Sequence, residues 1–462
     1  MLFSSMTFLF IFLPVVVAVY FLTPKRFKND VLLVASFLFY AFGEPWYVFL
    51  MIASVFVNYV GARLIESTRF KKPVLFLTVA ANLGTLGYFK YFNFVVENVN
   101  AVFGARLDPV YIVLPVGISF YTFQALSYVI DVYRGQVAAQ KDAYRLALYI
   151  MLFPQLIAGP IVKYHDIAGQ IDDRDEDIDD VYYGALRFIG GLAKKMLIAD
   201  TLGMLADEVF GGDLRYVSTP VAWAGAIAYM FQIYYDFSGY SDMAIGLCRM
   251  FGFKIPENFD HPYVSRSITE FWRRWHISLS TWFKEYLYIP LGGNRVSKPR
   301  TAFNLMFVFL MTGLWHGAGW TFVLWGAFHG ALIVCEKLAG LDTAKRGRAR
   351  DFFMRVYTLA AVLAGWVLFR AESLPAAVDY FKKMLGLIPD EYAALDFVYY
   401  VDGEEALAFA FAAVLSAPVA KDFFTARTKH PVLARAVALV LFLLSVTVIG
   451  AGTFNPFIYF RF

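Results

Sequence analysis

Charge is scarce in this chain. Asp, Glu, Lys and Arg make up 17% of its 462 residues, where soluble domains carry about a quarter. Cysteine is nearly absent. Cys248 and Cys335 both lie in apolar stretches, show no metal-ligand spacing and give no basis for a disulfide framework. No HExxH pair, Cys cluster, GxGxxG loop, P-loop or GxSxG elbow occurs, which argues against zinc hydrolases, nucleotide-binding folds and serine hydrolases. No bound metal is expected. A net charge of +4 is too small to argue for a nucleic-acid partner. No basic stretch precedes the first apolar run and no small-residue cleavage site follows it, so that run reads as a retained membrane helix rather than a signal peptide.

What is abundant is apolar surface. Hydrophobic residues make up 59% and aromatics 19%, with a mean hydropathy of +0.56. That composition asks for lipid as the solvent. Runs long enough to cross a bilayer, roughly 17–25 residues each, fall near 6–23, 31–43 with 46–64, 73–93, 110–131, 144–162, 183–205, 219–250, 302–320, 320–338, 353–370, 405–420 and 432–453. Several are short or interrupted, leaving about eleven spanning helices. Hydrocarbon requires every backbone polar group to be satisfied within its segment. The expected class is therefore an all-α polytopic membrane protein, and without repeats or linkers 1–462 reads as a single membrane domain.

Charge orients it. Lys25, Arg26 and Lys28, then Arg69, Lys71 and Lys72, the segment 265–300 and the segment 345–350 are basic and should be cytoplasmic. The acidic loop 371–405 should face outward. Strict alternation leaves one crossing unaccounted for between 144 and 265. A re-entrant or interfacial element there would repair the count, since irregular backbone is tolerated where protein buries it.

Three histidines stand out. His316 ends an apolar run beside Trp315, flanked by Gly313, Gly317 and Gly319; an ionisable group at such depth reads either as a functional site or as a neutral imidazole bridging two helices by hydrogen bonds. His276 lies in Thr269-Glu-Phe-Trp-Arg-Arg-Trp-His-Ile-Ser-Leu-Ser280. Spacing predicts one helix there, with Trp272, Trp275, His276 and Leu279 inward. Arg273 and Arg274 would point to the cytoplasmic boundary and receive donor phosphates. His329 reads as a packing or supporting residue. Asp236, Ser238, Tyr240 and Asp242 interrupt another apolar run. They could wall a substrate cavity or act as helix–helix glue, and both readings stay open.

Taken together, these strings resemble the membrane-bound O-acyltransferase family, in particular its bacterial branch that acetylates exopolysaccharides such as alginate. The resemblance rests on Leu114-Pro-Val-Gly-Ile-Ser-Phe120, Tyr235-Asp-Phe-Ser-Gly-Tyr-Ser-Asp-Met-Ala244, the string 268–282, Leu291-Gly-Gly-Asn294-Arg295 and Gly313-Leu-Trp-His-Gly317. It implies a ring of helices with a central funnel and tunnel. It makes His316 and His276 the catalytic pair; beside them, Arg273, Arg274, Trp275, Trp315, Asp236, Ser238, Tyr240, Asp242 and Asn294 stand as donor- or substrate-binding candidates. The implied donor is acetyl-CoA or an acyl-carrier thioester, with no bound cofactor. The implied partners are extracytoplasmic polysaccharide acetylation proteins and membrane lipid, and the implied location is the bacterial cytoplasmic membrane. Teichoic-acid D-alanylating relatives share the two-histidine plan, so D-alanyl transfer is the alternative chemistry. Among the other readings, a transporter of acetyl or small anions needs paired broken helices that no repeat supports. In an assembly scaffold, the loop 371–405 would dock a partner that performs the transfer.

Overall fold

The computed structural model describes residues 1–341, 347–390, 397–420, 430–452 and 457, and among them every regular element is helical. Lys345 and Arg346 of the basic loop, and Glu391 and Asp396 of the acidic one, lie outside the described residues. Four described helices are long and apolar enough to cross a membrane: Tyr47–Ser67, Trp320–Leu338, Arg348–Arg370 and Pro431–Gly450. The helices gather into two compact units, Met1–Phe188 with Met243–Pro256, and Ile189–Asp242 with Glu257–Phe462.

The first unit shows what lipid does to a helix pattern. Tyr47–Ser67 buries Met51, Val55, Asn58, Ala62 and Ile65 and exposes Phe49, Ile52, Phe56 and Leu64. Its outer face is apolar while an amide sits inside, the reverse of a helix in water. Asn58 and Asn82 exchange reciprocal amide hydrogen bonds of 3.0 and 2.9 Å, which tie this helix to Lys71–Phe103.

Two expected spans are not continuous helices. Within 110–131, helix begins only at Ile118, after Gly117 at φ 78°. A Cβ on Gly117 would come within 2.8 Å of the Leu156 carbonyl oxygen, so the chain reaches this close approach through glycine. Within 144–162, helix stops at Met151 and resumes only for Phe153–Leu156. Pro154 lacks the N–H a continuing helix needs, and the freed Phe153 N–H donates to Ser36 Oγ at 3.0 Å.

The second unit holds the candidate histidines. Lys298–His316 and Trp320–Leu338 form a hairpin broken at 317–319. A Cβ on Gly313 would lie 2.3 Å from the Phe322 carbonyl oxygen, and one on Gly326 would lie 2.3 Å from that of Phe309. The two backbones therefore touch directly, as small residues permit in a bilayer.

The expected continuous helix through His276 is corrected. Helix Ile268–Arg274 stops, His276 turns left-handed at φ 43°, ψ 56°, and a second helix runs Ile277–Phe283. The cause is long-range pairing. The Ile277 N–H donates to the Asn258 carbonyl at 2.9 Å, and the Asp260 N–H donates to that of Arg274 at 3.0 Å. The inward set survives the break, with Trp272, Trp275, His276 and Leu279 all buried. Ser267 caps the first helix by accepting the Glu270 N–H at 2.9 Å. The buried Glu336 carboxylate adds a second cap from the neighbouring helix, accepting the N–H groups of Ile268 at 2.6 Å and Thr269 at 3.0 Å. An anion at a helix N-terminus satisfies orphan donors and complements the dipole.

Candidate active site

His316 closes the last turn of its helix, 4% exposed. Its ring meets Trp315, Trp325 and Phe369 edge-on, at centroid distances of 4.9, 5.1 and 5.2 Å. His276 is fully buried, with Phe237 at 4.6 Å and Trp315 at 5.9 Å. The Trp315 indole thus touches both imidazoles. Two residues 40 positions apart are gathered around one aromatic ring, in an environment that excludes water.

The hydrogen bonds of His276 specify its protonation. Asn258 Oδ1 lies 3.1 Å from His276 Nδ1 and also accepts the Ser278 backbone N–H at 3.3 Å and the Ser278 hydroxyl at 2.8 Å. A backbone N–H can only donate, so this Asn258 atom is the oxygen, and Nδ1 must carry the proton. Asn258 Nδ2 donates in turn to Ser241 Oγ at 3.1 Å. Burial pushes the His276 pKa down to about 3, so the ring is neutral at physiological pH and Nε2 presents a lone pair.

His329 is 1% exposed and sits behind the pair. Its ring contacts Trp325 at 5.1 Å, and its Nδ1 lies 3.4 Å from Trp272 Nε1. Trp275 packs against Trp366 at 4.9 Å, Phe259 at 5.1 Å and Phe271 at 5.5 Å. Arg274 is held by Glu270 at 3.1 Å and Asp260 at 3.3 Å, while Arg273 is exposed. Asn294 is exposed in the loop after residue 290.

The polar cluster on Thr219–Met250 divides. Asp236 ion-pairs with Lys195 at 2.9 Å, and Lys195 also reaches Asp200 at 3.1 Å. Asp242 pairs with Lys194 at 2.6 Å. Ser238 and Tyr240 are buried on the same helix, Tyr240 with its ring 4.7 Å from Phe457. Phe237 and Ser241, one turn apart, both reach toward His276, by ring contact and through Asn258.

Sequence reasoning missed Lys195, Asp200, Asn258 and Glu336. The first two carried a usable signal, since ionisable residues inside an apolar run mark structure or function. Lys194 and Lys195 begin a π-helical segment, Lys194–Ala199, a distortion that often accompanies functional positions. Glu336, ionisable within the run 320–338, carried the same signal, whereas Asn258 carried none, because its importance depends on partners far away in the chain.

Residues 141–367 match the model of the membrane-bound O-acyltransferase family, a stretch that contains Lys195, Asp236, Asn258, His276, His316 and His329. A protein of Pseudomonas putida named “Probable alginate O-acetylase” is 40% identical over 100% of both chains. The chain belongs to the membrane-bound O-acyltransferase family. It is accordingly an acyltransferase and a membrane protein. The protein of the same name from Pseudomonas aeruginosa is 46% identical over 83% of this chain and 75% of the relative. A “Peptidoglycan O-acetyltransferase” of Helicobacter pylori is 38% identical over 84% and 80%, respectively.

Proposed function

We propose that this acyltransferase moves an acetyl group from a cytoplasmic thioester, acetyl-CoA or an acyl-carrier thioester, across the bacterial cytoplasmic membrane for O-acetylation of an exopolysaccharide. The observation that carries the reading is the pair of buried histidines sharing the Trp315 indole. The names of the relatives favour acetyl over D-alanyl: the acetylating ones are 38–46% identical over most of the chain, whereas a “Teichoic acid D-alanyltransferase” of Bacillus subtilis is 29% identical over 47% of it. The inferred architecture is one membrane domain of about eleven spanning helices around a thin centre, open to a funnel and a tunnel.

A hydroxyl near neutral pH is a poor nucleophile, and a positioned base contributes roughly 10²–10⁴-fold. In the reaction the acceptor oxygen bonds to the acyl carbon, the carbon–sulfur bond breaks, and the hydroxyl proton ends on the departing thiolate. His316 takes that proton first, and His276 serves the donor side. Arg273, exposed where Arg274 is engaged by two carboxylates, is the donor-phosphate contact. A separate extracytoplasmic protein completes delivery to the polymer. His316→Ala should abolish thioester consumption and polymer acetylation while membrane levels stay at wild type. Wild-type acetylation in that variant would overturn the proposal.

A further inference from the structure

We infer that Asn258 is a positioning residue for acyl transfer, fixing His276 in the one tautomer and orientation in which Nε2 acts as a hydrogen-bond acceptor. This rests on the acyl-transfer reading above and deepens it.

Three features converge on Asn258. Its backbone carbonyl accepts the Ile277 N–H at 2.9 Å and so anchors the residue that follows His276. Its side-chain oxygen receives His276 Nδ1–H together with both donors of Ser278. Its amide nitrogen is spent on Ser241 Oγ, which prevents the amide from turning over. All three residues are buried, at 1% for Asn258, 2% for Ser241 and 6% for Ser278. The amide therefore cannot exchange its role with water.

His276 also holds a left-handed backbone at φ 43°, a conformation that strains an L-residue. Such strain persists where surrounding contacts over-determine it. Here both the backbone and the side chain of Asn258 supply those contacts. The result resembles the general logic of a buried amide orienting a catalytic imidazole.

One chemical consequence follows. With Nδ1–H committed, neutral His276 has no proton on Nε2 to offer an oxyanion. It can only accept, from a substrate N–H or O–H. Stabilising an oxyanion by donation from neutral His276 is therefore excluded, and a donor-side accepting role is retained.

The test uses the full-length protein in membranes and compares Asn258→Ala, Asn258→Asp and Ser241→Ala with His316→Ala, reading membrane level, donor KM, kcat and the pH profile of kcat. Asn258→Ala should lower kcat about 10–100-fold, the scale on which misplacing an oriented active-site group costs turnover, with donor KM within about twofold. Asn258→Asp keeps the acceptor and adds a negative charge beside the ring. It should recover part of kcat and move the acidic limb of the profile to higher pH, because a carboxylate favours imidazolium. Ser241→Ala should act in the same direction as Asn258→Ala and more weakly. Full kcat in Asn258→Ala would overturn the inference, as would an unmoved acidic limb in Asn258→Asp or losses that only track protein level. If His316→Ala is inactive while Asn258→Ala is fully active, this inference alone falls. If His316→Ala is fully active, the functional reading falls first.

Discussion

Lys195→Met should unfold this protein more readily than any loss of surface charge. Lys195 is 2% exposed, and its ammonium bridges Asp200 at 3.1 Å and Asp236 at 2.9 Å. These two carboxylates are nearly as deeply buried, at 6% and 3% side-chain exposure. At an effective dielectric near 20, unit charges about 4 Å apart attract by about 4 kcal/mol and these closer pairs by somewhat more, much of it offset by the desolvation all three groups have undergone. Removing the cation cancels the attraction and leaves the desolvation. Breaking a buried pair this way costs about 3–5 kcal/mol. An unfolding entropy of about 2.1 cal/mol/K per residue gives roughly 1 °C per kcal/mol for a chain of 462 residues, so the melting temperature should fall by about 3–5 °C. The assay is the loss of monodisperse protein on heating in detergent. Lys195→Met combined with Asp200→Asn and Asp236→Asn removes every charge and should recover most of the loss, since neutral replacements of buried ion clusters are often tolerated. A single variant that melts with wild type would refute the reasoning, as would a triple variant no better than the single one.

Gly326→Ala places a Cβ 2.3 Å from the Phe309 carbonyl oxygen; it should cost about 1–3 kcal/mol through overpacking and lower folded yield. Gly87→Ala, where a Cβ meets nothing within 4 Å, should be neutral or slightly stabilising, and equal melting of the two variants would count against direct backbone contact in the hairpin. Glu336→Gln should weaken the cap on Ile268–Arg274 by roughly 1.5–3 kcal/mol, the scale of a hydrogen bond to a charged group, seen as earlier proteolysis of that segment; unchanged proteolysis would show the cap to be dispensable. The His276 pKa is about 3, against 6.5 for an ordinary imidazole, so between those values the unfolded chain binds a proton that the folded chain refuses. Stability should then rise with pH across that window and fall as pH drops below 6.5. Thermal melts at about pH 5 and about pH 7.5 should show a shallower slope for His276→Gln, and an identical slope would remove His276 as the cause.

Composition and apolar runs by themselves determined the class of this protein. Water cannot solvate the backbone inside lipid, so long apolar runs must become helices wherever they lie in the chain. Local pattern also separated an outgoing run from a returning one that meet at Trp320, and identified Trp272, Trp275, His276 and Leu279 as an inward set, all of them buried. Both facts concern residues close in sequence. Tertiary structure decided the rest. Nothing within a turn of His276 says that its helix must break there, because the competing hydrogen bonds come from Asn258 and Asp260. The same is true of its tautomer. For Asp236 the sequence leaves cavity wall and helix–helix glue both open, and its partner Lys195, 41 residues earlier, is visible only in the tertiary structure. Arg273 and Arg274 are adjacent in sequence, yet only Arg274 meets Glu270 and Asp260. Periodicity encodes which face of a helix avoids its solvent. It carries no information about which distant polar group will arrive to meet that face, and in a low-dielectric interior that meeting determines charge state, orientation and reactivity.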